Sequence, residues 1–178
     1  MRVIGLAGWS GAGKTTLLAR LIPALVARGL RVATVKHAHH AFDLDQPGKD
    51  SHLHRVAGAS EVIVSSETRW AQIHENRGEA EASLAALLGR LSPCDLVLVE
   101  GYKRERHPKL EVFRAANGRA PLHPDDPEIV AIASDTPFPQ ARIPVVPLDD
   151  VAAVTQVVLA GAAPLAEVLE RLRHGPAH

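Results

Sequence analysis

Short apolar runs alternate along this chain with longer segments in which apolar residues recur every three or four positions. The first run, Arg2–Ala7, is typical of a strand and ends in a glycine-rich turn. From Lys14 the apolar residues share one helical face, at Leu17, Leu18, Leu21 and Leu25. Gly29 ends this predicted helix, and Pro23 within it predicts a kink or a missing hydrogen bond. The chain therefore starts as strand, turn and helix.

The alternation continues and predicts an ordered series of elements. Further strands are expected at residues 30–36, 59–65, 70–74, 95–100, 110–113, 129–133 and 145–147. Further helices are expected from Asp50 or Ser51 to about residue 57, and at residues 78–90, 149–159 and 164–173. Such alternation is typical of an α/β fold of three layers, in which helices flank a mostly parallel sheet. Because strand 70–74 returns soon after strand 59–65, a small antiparallel hairpin is expected beside that sheet.

The composition indicates which kind of protein and which kinds of partner to expect. The 178 residues, 46% of them hydrophobic, suit a single domain over residues 1–178 with a buried core. Twenty Lys and Arg balance 20 Asp and Glu, and aromatic residues make up only 3%, so neither nucleic acid nor a membrane is expected as a partner. The single cysteine, Cys94, cannot form an internal disulfide and suits a reducing compartment. A cytoplasmic location is therefore expected.

The turn after the first strand carries a phosphate-binding motif. Residues Gly8-Trp9-Ser10-Gly11-Ala12-Gly13-Lys14-Thr15 match G-x-x-x-x-G-K-[ST] in full, between a predicted strand and a predicted helix. The glycines let backbone N–H groups turn toward phosphate oxygens, and the helix adds its positive end. Lys14 is expected at the β- and γ-phosphates, Thr15 at Mg²⁺, and Thr16 at the α-phosphate or simply at the helix start. The nucleotide-binding residues expected here are Gly8, Ser10, Gly11, Ala12, Gly13, Lys14, Thr15 and Thr16.

A second magnesium ligand is expected at the end of a neighbouring strand. The apolar run 96–99 is typical of a central strand, and Glu100 follows at its carboxyl end, where ligands sit in open α/β sheets. Glu100 is therefore expected to bind magnesium or to position a water molecule. Glu100 and Lys14 are the expected catalytic residues. Asp95 starts the same run about 16 Å away, so a turn or capping role is expected for it.

A polar loop follows the second predicted strand. It contains Lys36, His37, His39, His40, Asp43 and Asp45, and Asp50, His52, His54 and Arg55 follow. One interpretation is a switch-like loop in which Lys36 neutralises phosphate charge and an Asp contacts magnesium. A solvated loop and a transition-metal site are the alternatives, although the spacing matches no recognised zinc motif.

Two further polar segments have open interpretations. Residues 102–109 form the densest basic stretch, which suits either a solvated face or a site for an anionic ligand or acidic partner. Asp135 ends the predicted strand 129–133 with a polar turn. Its carboxylate has the acceptors that guanine N1–H and N2–H₂ require, and the alternative is a turn-opening role before Pro137.

Together these motifs resemble the molybdopterin-guanine dinucleotide biosynthesis protein B family, a branch of the SIMIBI class of P-loop proteins. The resemblance rests on six segments in order, at residues 8–16, 34–37, 48–51, 57–59, 95–102 and 133–135. They span roughly residues 1–150, whereas the segment from about Val151 contributes little.

The resemblance implies a dimeric GTP-binding adaptor with at most weak GTPase activity. It would use GTP and Mg²⁺ beside the guanylyltransferase that attaches GMP to molybdopterin, with molybdopterin itself as a further candidate ligand. Lys14, Thr15 and Glu100 would carry the phosphate and magnesium contacts, and Asp135 the guanine contact. Trp9 stands where some members of the class have an additional lysine, so catalysis by that lysine does not transfer to this chain.

Two other classes share the phosphate loop. A nickel-insertion GTPase is suggested by the histidine-rich loop, but such a protein normally uses a Cys–His pair, and Cys94 is the single thiol. A small-molecule kinase is compatible with the loop and with Arg104 and Arg106 as lid residues, but the sequence identifies no acceptor pocket.

Overall fold

The computed structural model describes residues 1–38 and 45–175. Contacts divide the chain into two compact units, Met1–His37 with Leu84–His178 and, separately, Ala38–Ser83. The single domain expected over residues 1–178 stays a prediction. None of the helices in the described ranges is long and apolar enough to cross a membrane.

The helices and strands follow the predicted order. The strands are β1 Arg2–Ala7, β2 Val32–Lys36, β3 Glu61–Ser65, β4 Trp70–His74, β5 Leu96–Glu100, β6 Lys109–Phe113, β7 Ile129–Ser134, β8 Val145–Pro147 and β9 Ala163–Pro164. The helices are α1 Lys14–Val26, α2 Asp50–Val56, α3 Leu84–Gly89, α4 Val151–Gly161 and α5 Leu165–Arg173, with a 3₁₀ turn at Ala115–Asn117. Helix α1 passes through Pro23 without ending.

In its described residues the first unit forms a seven-stranded sheet in the order β2-β5-β1-β6-β7-β8, and the short β9 pairs with β1. Every pairing along this path is parallel, whereas β9 runs antiparallel. Leu6 of β1 and Lys36 of β2 both lie opposite Glu100 of β5. The carboxyl ends of the central strands therefore meet at one edge of the sheet.

Apolar side chains cover both faces of this sheet. One buried cluster joins β1, β5 and β6 to α1 and α4, and includes Ile4, Leu21, Leu98 and Val158. The other joins β1, β2 and β5 to α3 and α5, and includes Val3, Leu88, Val97 and Val168. Strands buried on both faces have continuous apolar sequences, as β1 and β5 do. The predicted α/β fold of three layers is confirmed.

The described residues of the second unit form α2 and an antiparallel pair of strands, β3 and β4. The predicted hairpin is therefore confirmed, as a two-stranded sheet of its own. Val62 is buried, whereas Ile63 and Trp70 are 66% and 63% exposed. Because Ile63 pairs with Gln72 and Ser65 with Trp70, the alternation of a strand puts these two apolar side chains on one open face.

The predicted helix 78–90 was wrong at its start, because α3 begins only at Leu84. A turn precedes it, in which Arg77 has φ 42° and Gly78 has φ 92°. Glu79, Ala80 and Glu81 favour helix by propensity, but their side chains are exposed and bury no apolar area that would stabilise a further turn.

The basic stretch 102–109 does not form one exposed face. Lys109 is 1% exposed and its ammonium lies 3.0 Å from Asp126 Oδ2, so a buried charge is paired. Glu111, also 1% exposed, accepts hydrogen bonds from the backbone N–H groups of Leu122 at 2.5 Å and His123 at 3.0 Å. Arg106 lies 3.6 Å from Glu128. These contacts fasten the connection between β6 and β7 to the sheet.

His107, in the same stretch, is buried without a hydrogen-bond partner for its ring among the described residues. It is fully buried, and neither ring nitrogen has a hydrogen-bond partner in the described part of the chain. Burial, with a further contribution from Lys109, lowers the pKa of His107 to about 3. The unfolded chain takes up a proton near pH 6.5 that the folded protein does not, so stability falls as pH falls from 6.5 toward 3.

We expect His107→Leu to flatten the dependence of unfolding free energy on pH between 6.5 and 4. The slope should fall by up to about 1.4 kcal/mol per pH unit, because leucine cannot be protonated in the unfolded chain. Urea unfolding at a series of pH values measures it. His54→Leu, at an exposed position, is the control that keeps the wild-type slope. An equal slope in wild type and His107→Leu would show that folding does not lower the pKa of His107.

Candidate nucleotide-binding site

The phosphate loop runs between β1 and α1. Gly8 has φ 148°, and a Cβ there would lie 2.5 Å from the carbonyl oxygen of Val112 on β6, so no larger residue fits. Gly13 is the N-cap of α1 in the left-handed region and offers no side-chain cap. The first N–H groups of α1 therefore stay available for an anion, as they are where helices bind phosphate.

Lys14 closes the loop from the helix side. Its ammonium donates hydrogen bonds to the carbonyl oxygens of Gly8 at 2.8 Å and Trp9 at 3.0 Å. Burial lowers the pKa of Lys14, Glu100 opposes that effect, and the nearby Lys103 and Lys36 lower the pKa further. A partly desolvated ammonium beside two other cations gains from an anionic partner, and phosphate oxygens supply one.

Thr15 and Glu100 meet at the edge of the sheet. Thr15 Oγ1 donates a hydrogen bond of 2.7 Å to Glu100 Oε1, and Lys36 Nζ lies 3.4 Å from Glu100 Oε2. The Glu100 side chain is only 12% exposed, whereas that of Lys36 is 59% exposed. The parallel register explains the meeting, because Glu100 lies opposite both Leu6 and Lys36. Three of the predicted site residues are therefore in contact.

The two oxygens fit a magnesium ion. Mg²⁺ prefers oxygen ligands at about 2.0–2.1 Å in an octahedron, so neighbouring ligands are about 2.9 Å apart. The Thr15 and Glu100 oxygens are 2.7 Å apart. Mg²⁺ usually takes few protein ligands and completes its shell with water and substrate phosphates. A hydroxyl and one carboxylate next to a phosphate loop are a suitable protein contribution.

Asp135 lies exposed just beyond the carboxyl end of β7. Its Oδ1 accepts a hydrogen bond of 3.0 Å from the backbone N–H of Ala115, at the start of the 3₁₀ turn. Ser134 Oγ, not Asp135, accepts the hydrogen bond within the turn, from Thr136 N at 3.0 Å. A carboxylate keeps further acceptor sites after one such bond, so a guanine contact stays a prediction.

Sequence reasoning missed the residues that approach the loop from the connection after β6. Asn117 Nδ2 donates to the carbonyl oxygen of Ser10 at 3.2 Å. Arg114 Nε lies 3.3 Å from the point where a Cβ on Gly13 would stand. No motif marks these residues, because the connection is brought to the loop by Lys109 and Glu111, whose partners lie far along the chain.

Trp9 was also missed as a contact residue, since it occupies an unrestricted position of the motif. Its indole N–H donates to the carbonyl oxygen of Ala120 at 2.8 Å. Lys103 Nζ lies 4.5 Å and the Arg119 guanidinium 5.6 Å from the ring centroid. Two cations therefore flank an aromatic ring in the phosphate loop.

The polar loop after β2 is only partly described. His39, His40 and Asp43 lie outside the described residues, whereas His37 packs on Tyr102 with ring centroids 5.0 Å apart. Asp45 accepts a hydrogen bond from Ser51 at 2.6 Å and pairs with Arg55 at 3.2 Å, so these contacts link it to α2. Within residues 1–38 and 45–175 no three His, Cys, Asp or Glu side chains are grouped to hold a metal ion.

Asp95 belongs to the opposite end of β5. Its Oδ2 accepts a hydrogen bond of 2.7 Å from the backbone N–H of Arg31, which comes just before β2. That hydrogen bond, followed by the charge of the Arg31 side chain, holds the pKa of Asp95 below its usual range. Asp95 therefore joins the starts of two strands.

Comparison with known proteins gives the family. A sequence model of molybdopterin guanine dinucleotide synthesis protein B (MobB) matches residues 3–135, which include the phosphate loop, Glu100 and Asp135. The chain belongs to the MobB family. The expected resemblance is thus confirmed, and the segment that follows residue 135 lies beyond the match.

Curated MobB relatives cover most of this chain. The molybdopterin-guanine dinucleotide biosynthesis adapter protein of Escherichia coli is 48% identical over 139 residues, 76% of this chain and 79% of that protein. The adapter protein of Haemophilus influenzae is 41% identical over 136 residues, 76% of each chain. A crystal structure of molybdopterin-guanine biosynthesis protein B has a TM-score of 0.70 at 27% identity, over 89% of this chain and 97% of that one. The fold of this MobB chain therefore agrees with a solved MobB structure.

We expect Glu100→Gln to weaken binding of a nucleoside triphosphate in the presence of magnesium by at least about tenfold, and to change it little in EDTA. The amide keeps the hydrogen bond with Thr15 but loses the charge that Mg²⁺ prefers. Calorimetric titration in the two buffers measures both affinities.

Two variants are the controls for Glu100→Gln. Asp95→Asn, at the far end of the same strand, should bind as wild type does in both buffers. Lys14→Ala should lose binding in both, because it removes the phosphate contact itself. Equal losses for Glu100→Gln with and without magnesium would contradict a metal role for Glu100.

Proposed function

We propose that this MobB chain is a GTP- and Mg²⁺-binding adaptor that assists a guanylyltransferase in attaching GMP to molybdopterin. The observation that carries the proposal is the contact of Thr15 with Glu100 beside the phosphate loop, at a separation that suits Mg²⁺. The family supports the pathway, since the relatives from Escherichia coli and Haemophilus influenzae are named as adapter proteins of molybdopterin-guanine dinucleotide biosynthesis.

The site favours binding over fast hydrolysis. In our proposal the loop from Gly8 to Gly13, with Lys14 and Thr16, holds the phosphates, while Thr15 and Glu100 hold magnesium. Both Glu100 oxygens already have partners, Thr15 on one side and Lys36 on the other. A carboxylate that holds a metal and a lysine is poorly suited to orienting an attacking water. At most weak GTPase activity follows, with Lys14 and Glu100 as the contributing residues.

Guanine is the base that Asp135 suits. Its exposed carboxylate lies at the carboxyl edge of the sheet, where open α/β folds bind their ligands. The hydrogen bond from Ala115 N fixes one oxygen and orients the group. Guanine offers two donors, N1–H and N2–H₂, to such a carboxylate, whereas adenine does not.

The exposed apolar side chains of the second unit suit contact with a second copy of the chain. Six large apolar residues are markedly exposed in the described ranges, and five of them belong to this unit: Leu53, Val56, Ile63, Val64 and Trp70. A two-stranded sheet is marginally stable alone, so covering its open face stabilises it. We therefore propose a homodimer that acts in the cytoplasm, where the single thiol is expected to stay reduced.

The proposal is tested by forming the guanine dinucleotide cofactor from purified transferase, molybdopterin, GTP and Mg²⁺. Adding the wild-type protein should raise the yield of cofactor or the activation of a molybdoenzyme. Lys14→Ala removes the phosphate contact and leaves the rest of the protein surface unchanged. Adding this variant should therefore raise the yield little. If wild type and Lys14→Ala act alike, or neither acts, the nucleotide-dependent adaptor role is excluded.

Asp135→Ala should lower the affinity for GTP about tenfold, because the guanine donors lose their acceptor. The weaker binding of ATP should stay nearly unchanged. A competition titration with GTP and ATP on both proteins measures the change in preference. A wild-type preference for ATP would contradict the guanine assignment.

Trp70→Ser should weaken self-association, because it removes the largest apolar side chain from the open face of the hairpin. Light scattering over a range of protein concentrations measures the mass. Val26→Ser is a matched control, since Val26 is 54% exposed in the first unit. An unchanged mass for Trp70→Ser, or an equal change for Val26→Ser, would rule out the hairpin as the dimer contact.

A further inference from the structure

Lys103 stands over the phosphate loop, although it belongs to no phosphate-binding motif. Its ammonium lies 4.5 Å from the centroid of the Trp9 ring. The ring has a second contact, because its N–H donates to Ala120 O at 2.8 Å. Lys103 thus lies beside a ring of the loop that a hydrogen bond orients.

A strained turn brings Lys103 to this position. Directly after Glu100, Gly101 has φ 93° and Tyr102 has φ 50°, and Tyr102 is one of two non-glycine residues with positive φ in the described chain. A Cβ on Gly101 would lie 2.7 Å from the Cβ of His37, whose ring packs on Tyr102. Such conformations cost free energy and concentrate at functional sites. Here Gly101 and the strained Tyr102 connect β5 to Lys103.

Among the described residues, no carboxylate pairs with the charge of Lys103. No ion pair involves its ammonium within residues 1–38 and 45–175. It is close enough to Lys14 to lower the pKa of that residue. Two neighbouring ammonium groups repel each other until an anion lies between them, so the arrangement favours binding of a highly charged ligand.

We propose that Lys103 binds the terminal phosphate of the nucleoside triphosphate and so distinguishes GTP from GDP. The inference rests on the proposed function of the same site. A magnesium ion held by Thr15 and Glu100 would neutralise charge on the β- and γ-phosphates, and Lys103, three residues after Glu100, would then lie near the γ-phosphate. An ammonium over a half-buried ring makes a weaker contact than a charge-assisted hydrogen bond to phosphate, so the Lys103 ammonium leaves the Trp9 ring and binds the phosphate when GTP binds.

The first test compares GTP and GDP affinities of Lys103→Met, which keeps the length of the side chain and removes its charge. We expect GTP affinity to fall about tenfold or more and GDP affinity to change less than about threefold. Lys103→Arg should restore most of the preference for GTP. Arg28→Met, beyond the far end of α1, removes one exposed positive charge and should bind both nucleotides as wild type does.

The outcomes separate this inference from the function on which it rests. An unchanged ratio of GTP to GDP affinity in Lys103→Met overturns the role of Lys103 and leaves GTP binding intact. Equal losses for both nucleotides also overturn it, because they indicate a structural effect. If the wild-type protein binds neither nucleotide, the proposed function itself fails.

Trp9 supplies a second readout that a structural role would not move. The chain has two tryptophans, so in Trp70→Phe the fluorescence comes from Trp9 alone. Withdrawal of the Lys103 ammonium from the ring should give GTP a different emission change from GDP. Adding Lys103→Met should make the two responses alike. Identical responses to GTP and GDP in Trp70→Phe would overturn the exchange of partners.

Discussion

The hydrogen bond between Thr15 and Glu100 depends on the parallel register of three strands. The rest of the candidate site depends on this hydrogen bond. β1 delivers the loop and the start of α1, β5 delivers Glu100, and β2 delivers Lys36. Parallel strands that end together bring residues 85 positions apart into a contact of 2.7 Å. The apolar clusters on both faces of the sheet keep that register, because a slip by one residue would move every side chain of a strand to the opposite face and break the packing of both clusters.

A second constraint acts from the neighbouring strand. β6 carries two buried charges, Lys109 and Glu111, and each is satisfied by the connection that leads to β7. A buried charge without its partner is costly, so these contacts fix the connection firmly. Asn117 and Arg114 thereby approach the phosphate loop, and Ala115 approaches Asp135. The phosphate loop and Asp135 are thus linked through one connection.

The sequence predicts the parts of the site that rest on local pattern. The glycine spacing and the apolar run before Glu100 predict a phosphate loop and a strand-end carboxylate, and the structure brings Thr15 and Glu100 together. It does not predict Lys103 over Trp9, because that contact depends on a turn of unusual conformation. Nor does it predict the burial of His107 and Lys109, since charged side chains are ordinarily exposed and the partner of Lys109 lies 17 residues away.

The most direct test of this account is a calorimetric titration of the wild-type protein with GTP in Mg²⁺ and again in EDTA. If Thr15 and Glu100 share a magnesium ion with the nucleotide, GTP should bind in Mg²⁺ at least about tenfold more tightly than in EDTA. Equal affinity in the two buffers, or no binding in either, would contradict the central claim that this edge of the sheet holds a magnesium nucleotide.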